Sequence, residues 1–315
     1  MDRFEAIRTL IAAVDGGSLS AASRNMGVPL PTVSRRVSDL EAHLGAQLVT
    51  RTSRKLILTE AGAAYVASVR RLVDDLAEAE RAASGEYRAP RGELRVTAPM
   101  MFGKLHLAPI VHDFLVAFPE VTVRLILSDS IVDLADQHID IALRIGALPD
   151  SSLVTRAVGE VHWVICASPA YFARRGEPAT PAALTEHDCI AFEGLQPRRD
   201  WAFGSTARRQ VITIRPRFSI NTADAVVDAA VAGLGIARIM SYQAASAVVD
   251  RRLVTFLHDS ASAPLPVHLL YAPQPLLPLK QRAFIDFITP RLKLALKRIE
   301  TMIALKTISD NGLGR

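Results

Sequence analysis

Residues Ser18–Lys55 read SLSAASRNMGVPLPTVSRRVSDLEAHLGAQLVTRTSRK. Ser18 stands where a first helix would begin, its hydroxyl able to accept from a backbone N–H that lacks an intrahelical partner. Leu19, Ala22 and Met26 recur at helical spacing, and Gly27 ends the run because glycine enters the left-handed conformation without steric cost. Pro31 suits the first turn of a second helix, where a missing N–H costs nothing. From there Val33, Val37, Leu40 and Leu44 form an inward stripe, while Thr32, Ser34, Arg35, Arg36 and Asp39 point elsewhere. Two helices on so short a turn, the second basic and small-polar near its start, fit a helix-turn-helix reader of the DNA major groove. An ordinary helical hairpin with a solvated basic face fits these two helices equally well.

The residues that follow separate the two readings. Leu48–Thr50 and Leu56–Leu58 read as short strands, with Arg51, Thr52, Ser53, Arg54 and Lys55 in the turn between them. A basic hairpin beside the second helix is a wing, suited to reach phosphates or the adjacent minor groove. From Arg24 to Lys55 six Lys/Arg stand against two Asp/Glu, a local excess of +4 within a net charge of +5. The positive charge is concentrated where phosphates would lie.

These residues carry a resemblance. AASRNMGVPLPTVSRRVSDLEAHLGAQLVTRTSRKLILTEAG resembles the N-terminal winged helix-turn-helix of the LysR-type transcriptional regulators. The family commonly has Ser-Gln where this chain has Pro29-Leu30; that Ser would cap the second helix and that Gln would read a base edge. By position, Ser34 and Arg35 match the family's base- and backbone-contacting pair and Arg54 its wing arginine. The expected DNA-contacting set is Ser18, Pro31, Thr32, Ser34, Arg35, Arg36, Arg51, Arg54 and Lys55, acting on double-stranded promoter DNA.

At 315 residues the chain suits two or three domains. Half the residues are apolar and only 6% aromatic, and a pI near 9.5 with so small a net charge gives a mild preference for polyanions. No stretch approaches eighteen uninterrupted apolar residues, so no membrane span is expected. The start MDRFEAIRTL lacks an apolar core region and does not read as a secretory signal. Cys166 and Cys189 build no disulfide framework, and a cytoplasmic location is expected; both lie in apolar runs and read as buried thiols rather than a redox pair.

On the N-terminal side, Phe4, Ile7, Leu10, Ile11 and Val14 form one face of a helix ended by Gly16-Gly17. After the wing, Thr59 can cap a longer helix reaching about Glu86. Along it Val66, Val69, Val73 and Leu76 form a weak heptad seam that predicts pairing of two chains, the alternative being packing against the helix's own domain. Arg88–Gly92 breaks the periodicity and marks a boundary. Beyond it the pattern turns to α/β with a parallel sheet: a strand at Leu94–Ala98, a helical face of Leu105, Leu107, Ile110, Val111, Phe114 and Phe118, then strands at Val121–Leu127 and Ile139–Ile145. A second unit spans about Pro169–Pro266, with strands near Cys189–Phe192, Val211–Ile214 and Ile236–Ile239. Val267–Tyr271 returns to the first unit and a closing helix starts near Lys280. Two chain crossings, near Ala167–Pro169 and Pro266–His268, would give two lobes and a cleft.

ELRVTAPMMFGKLHLAPIVHDFLVAFPEV, DLADQHIDIALRIGALPDSSLVTRAVG and CASPAYFARRGEPATPAALTEHDCIAF are similar to the effector domain of one LysR-type subgroup, itself similar to type 2 periplasmic solute-binding proteins. The expected organisation is therefore α/β overall. A winged helix-turn-helix, an all-α reader, spans 1–60 and a linker and dimerisation helix spans 61–88. A two-lobed α/β effector domain spans 89–295, with lobe I at 92–167 and 268–295 and lobe II at 168–267, and a tail spans 296–315. The resemblance implies a homodimer or homotetramer, with RNA polymerase a further candidate partner.

Ligands of open α/β sheets bind beyond the carboxyl ends of the strands. That rule places Pro99, Met100, Met101, Phe102, Ser128, Arg144, Gly146, Asn221 and Thr222 at the cleft. Helix starts after Ala98 and Thr222 would offer N–H groups to an anion, so a small carboxylate-bearing effector is expected. The two methionines make the pocket softer and more apolar. The alternatives are a constitutive DNA-binding repressor without an effector, or an enzyme domain fused to a DNA reader. The sequence argues against the enzyme. It holds no Gly-x-Gly-x-x-Gly, phosphate loop or nucleophile elbow, and its scattered histidines form no metal-ligand spacing. No catalytic residue, metal or cofactor is expected.

Overall fold

The computed structural model describes residues 2–51, 56–83, 89–130, 139–148, 151–193, 199–204, 209–260, 262–274 and 277–312. The chain divides into two compact units, Met1–Arg88 and Ala89–Arg315.

In the first unit α1 (Arg3–Asp15) is capped by the Asp2 carboxylate, and α2 (Leu19–Met26) by the Ser18 hydroxyl, which accepts from Ala21 N–H at 3.1 Å. Gly27 ends α2 at φ 65°, in the left-handed region. α3 (Leu30–Leu44) has Pro31 in its first turn, and no side chain caps it at Pro29. The core joins Ala6, Leu10, Val37, Leu40, Leu48, Val49 and Val66, with a smaller cluster of Ala13, Ala22 and Val33.

Three expectations shift here. On α1 the fully buried positions are Ala6, Thr9, Leu10 and Ala13, while Phe4, Ile7, Ile11 and Val14 are only partly covered. Small side chains let neighbouring helices approach closely, so the contact line follows the alanines. Leu44 is 39% exposed because it is the last residue of α3, where Gly45 turns the chain at φ 63°. The wing strands are β1 (Val49–Arg51) and β2 (Leu56–Leu58), antiparallel with Val49 opposite Leu58. Arg51 thus belongs to a strand, and the expected turn residues Thr52–Lys55 lie outside the described residues. The Glu41 carboxylate ties the wing to α3 by accepting from Leu48 and Val49 N–H at 2.8 and 3.0 Å.

α4 (Glu60–Ala83) starts at Thr59, whose hydroxyl accepts from Gly62 N–H at 2.9 Å and donates to the Gln47 carbonyl at 2.7 Å. The expected seam changes its role along this helix. Val66 and Val69 are buried within their own unit, Val66 against Leu10, Leu40 and Leu48, and Arg70 pairs with Asp15 at the end of α1. The tight return from β2 lays the first half of α4 back over α1, so those valines already have a surface to cover. Val73 is half-buried, and Leu72 and Leu76 are left 64% and 40% exposed.

The second unit holds two five-stranded mixed sheets. Lobe I orders its strands β4 (Val121–Leu127), β3 (Gly92–Ala98), β5 (Ile141–Ile145), β14 (Leu265–Tyr271) and β6 (Val154–Val161). Lobe II orders β11 (Pro216–Ile220), β8 (Cys189–Phe192), β12 (Ile236–Met240), β7 (Trp163–Ala167) and β13 (Val254–Phe256). A hairpin of β9 (Asp200–Phe203) and β10 (Gln210–Thr213) stands beside them. The expected parallel sheets are parallel only in part. β14 runs antiparallel to both neighbours in lobe I and β7 to both of its own in lobe II, because each strand carries the chain between lobes. The crossings also move: the first is at His162, between β6 and β7, and the second precedes β14. The run from Val161 to Ala167 is apolar almost throughout, which hid the change of sheet.

The first helix of lobe I is continuous through α5 (Met100–Phe102), a π-turn at Gly103–Leu107 and α6 (Ala108–Ala117). Pro109 lacks an N–H and its ring would strike the carbonyl four residues back, so the helix widens and Ala108 N–H bonds to Gly103 instead. The widened turn carries Leu105 off the expected face, to 42% exposure. α7 (Pro169–Arg175), α8 (Ala223–Val231) and α9 (Ser241–Val249) cover lobe II. The closing helix α10 (Leu279–Gly312) runs past the expected limit at 295, with Leu296 and Ile299 buried in the lobe I core.

Candidate nucleic-acid interface and ligand cleft

On α3 the structure leaves Pro31 and Arg35 exposed and Thr32 and Ser34 half-buried. Arg36 is turned away from that face, its guanidinium 3.1 Å from the Glu5 carboxylate and 3.5 Å from the Thr9 hydroxyl on α1. It holds α1 to α3 instead of standing on the exposed face with Arg35. Ser18 spends its hydroxyl on the α2 cap. Arg54 and Lys55 lie outside the described residues, as does the Arg51 side chain.

In the second unit, Phe102 is fully buried, edge-on to Tyr242 with ring centres 5.1 Å apart and tilted against His106 at 5.2 Å. It therefore offers no surface to a ligand. Met101 is partly buried and packs against core residues of both lobes, and Met100 is exposed. The Met100 N–H donates to the Asp129 carboxylate at 3.0 Å, across 29 residues of chain. The helix start expected to be open thus already holds a carboxylate.

The neighbouring candidates are tied into the fold. Ser128 N–H donates to the Ala98 carbonyl at 3.0 Å, and its hydroxyl accepts from Ser130 N–H at 3.1 Å. Arg144 donates to the Leu143 carbonyl at 2.9 Å; burial pulls its guanidinium below the usual range, against the opposing charge of Asp129. Gly146, at φ 104°, donates to the Pro266 carbonyl at 2.8 Å.

In lobe II, Asn221 is exposed and Thr222 starts α8. Asp224 is held below the usual carboxylate range by a hydrogen bond with Thr222, by Ala225 N–H at 2.9 Å, and by the charge of Lys104 from lobe I. The sequence gives no signal for Asp224, Lys104 or Tyr242. Asp129 alone had a signal there, an acid between two serines just after a strand. Among the described residues no group of three or more His, Cys, Asp or Glu side chains could hold a metal ion.

Cys166 and Cys189 are buried, and burial pushes both thiols up to about 12. At pH 8 both are therefore protonated, and the thiolate is the reactive form. Neither cysteine is expected to be alkylated by iodoacetamide in the native protein at that pH, whereas both should react in denaturant. Mass spectrometry checks this, and rapid native labelling of either residue would contradict the burial.

A winged helix-turn-helix in one unit and a two-lobed α/β domain in the other define a DNA-binding transcriptional regulator with an effector-binding domain. Residues 4–63 match the family described as the bacterial regulatory helix-turn-helix protein, lysR family, and residues 88–293 match the LysR substrate binding domain. The chain belongs to the LysR family. It is 34% identical over 289 residues to an HTH-type transcriptional regulator of Xanthomonas campestris, covering 90% of this chain and 83% of that protein. Among solved structures it is similar to CrgA, a LysR-type transcriptional regulator from Neisseria meningitidis, with TM-score 0.60 and 29% identity over 91% of this chain and 98% of that one. It is also similar to the full-length Vibrio cholerae virulence activator AphB, with TM-score 0.59 and 29% identity over 90% and 97%. These families and relatives are regulators rather than enzymes. No helix among the described residues is long and apolar enough to cross a membrane.

Proposed function

We propose that the start of α3 and the wing read promoter DNA, and that a small molecule presenting a hydrogen-bond donor or a positive group between the lobes sets that binding. Exposed Pro31 and Arg35, with Thr32 and Ser34 beside them, support the reader. Arg51, Arg54 and Lys55 add attraction to phosphates. Two readers are needed for symmetric half-sites, so the chain works at least as a dimer. Among the described side chains of α4, Leu72 and Leu76 are large apolar groups left exposed for a partner, with Val73 beside them.

The class of effector rests on one observation, the Asp129 carboxylate on the Met100 N–H. The expectation of a carboxylate ligand assumed open helix starts, yet this one carries the chain's own acid and α8 carries Asp224. At that helix start an incoming carboxylate would have to displace Asp129 from the Met100 N–H, whereas an amine or hydroxyl would find the Asp129 carboxylate as an acceptor. Thermal unfolding of the full chain against small amines, amino alcohols and acids tests this. A donor-bearing hit should raise Tm, and the shift should vanish in Asp129→Asn. Acids that raise Tm, more so in Asp129→Asn, would overturn the donor class while leaving the cleft in place.

A further inference from the structure

We infer that the C-terminal part of α10 is a strap that holds the two lobes at a set angle, so that any hinge motion works against it. The match to the LysR substrate binding domain ends at residue 293, whereas α10 stays helical to Gly312. At 1.5 Å per residue the extension adds about 28 Å of helix. Leu292, Leu296, Ile299 and Ile303 recur in steps of four, three and four, so they share one face. The first three are buried in the lobe I core; Ile303 packs against that core and also against the core layer of lobe II built on Val226, Ala237 and Ile239. The seating is close, for a Cβ on Gly159 of β6 would lie 2.6 Å from the Leu296 side chain.

α9 is the element the strap acts on. Its Tyr242 and Ala245 belong to the lobe I core, while Ala244, Ala247 and Val248 belong to the lobe II core. α9 is thus a wall common to both lobes. Its first residue also grips the crossing: Ser241 N–H donates to the His162 carbonyl at 2.7 Å, and His162 N–H donates to the Ser241 hydroxyl at 3.2 Å. His162 is the one residue between β6 and β7. Contacts therefore run without a gap from Ile303, through the cores on either side of α9, to the crossing. A change of lobe angle must move α9 relative to one of the two cores, and packed cores shift between discrete arrangements rather than deform smoothly.

Hydrogen–deuterium exchange on the full chain tests the strap. Ile303→Asp and the milder Ile303→Ala are compared with Met302→Asp, which places the same charge on the exposed side of the helix. Exchange at Ser241 and His162 should rise about fivefold to tenfold in the Ile303 variants, more in Asp than in Ala, with Met302→Asp silent. The amides of Val96 and Leu143 in lobe I should keep their protection. The inference fails if Ser241 and His162 are unchanged in both Ile303 variants. It fails equally if protection at Val96 and Leu143 falls in step with them, which would make Ile303 a general support of the core.

Discussion

Arg35→Ala is expected to weaken binding to a selected operator by about 5- to 150-fold, or 1–3 kcal/mol, and to change binding to random DNA much less. Arg35 lies exposed in the second turn of α3, the part of a recognition helix that meets base edges. Its neighbour Arg36 carries the same charge but is spent on Glu5 and Thr9. Arg36→Ala should therefore lower the thermal stability of the first unit and leave the preference for operator over random DNA nearly intact. Arg54→Ala should weaken all sequences alike and reduce the slope of log affinity against log salt by about one. Affinities for operator and random duplexes, measured across a salt series, separate the three effects. Unchanged binding in both Arg35→Ala and Arg54→Ala would overturn the assignment of the reading face.

Gly62→Ala is expected to destabilise the first unit by about 1–3 kcal/mol, a drop in its Tm of several degrees for each kcal/mol. Two effects oppose each other at this position. Alanine is the better helix former by about 1 kcal/mol. However, its Cβ would fall 1.9 Å from the Leu48 carbonyl oxygen and 2.8 Å from the Leu48 carbonyl carbon. Those are backbone atoms and cannot rotate away, so α4 must lift from the wing. The Leu48 carbonyl also accepts from Thr59 N–H at 3.0 Å, and the shift would strain that bond and the cap at the start of α4. The clash outweighs the propensity. Calorimetry of the full chain should show the transition of the first unit moving down, with operator affinity falling as the wing is displaced. A Tm equal to or above that of the unaltered protein would mean that α4 relaxes at no cost.

Much of the first unit was legible because its signals are local. A cap at Ser18, a left-handed stop at Gly27, a proline in the first turn of α3 and a cap at Thr59 each act through backbone groups a few residues away. The strand Cys189–Phe192 was legible for a similar reason, since a short apolar run bounded by polar residues has few other options. The LysR resemblance rested on the same local features.

Tertiary structure decided where a side chain had more than one partner available. Val66 and Val69 have the spacing of a dimer seam, but the turn after β2 brings α1 within reach and they are covered within their own unit. Arg35 and Arg36 are indistinguishable by charge, and only the position of Glu5 on α1 draws Arg36 into an ion pair while Arg35 stays exposed. The Asp129 carboxylate reaches the Met100 N–H because parallel pairing of β3 with β4 sets the ends of the two strands side by side. Nothing within a few residues of either group encodes that approach. The same holds for the crossing at His162 and for Ile303 between the two cores. Periodicity marks a residue as apolar and helical or extended, but which surface covers it depends on how distant segments pack.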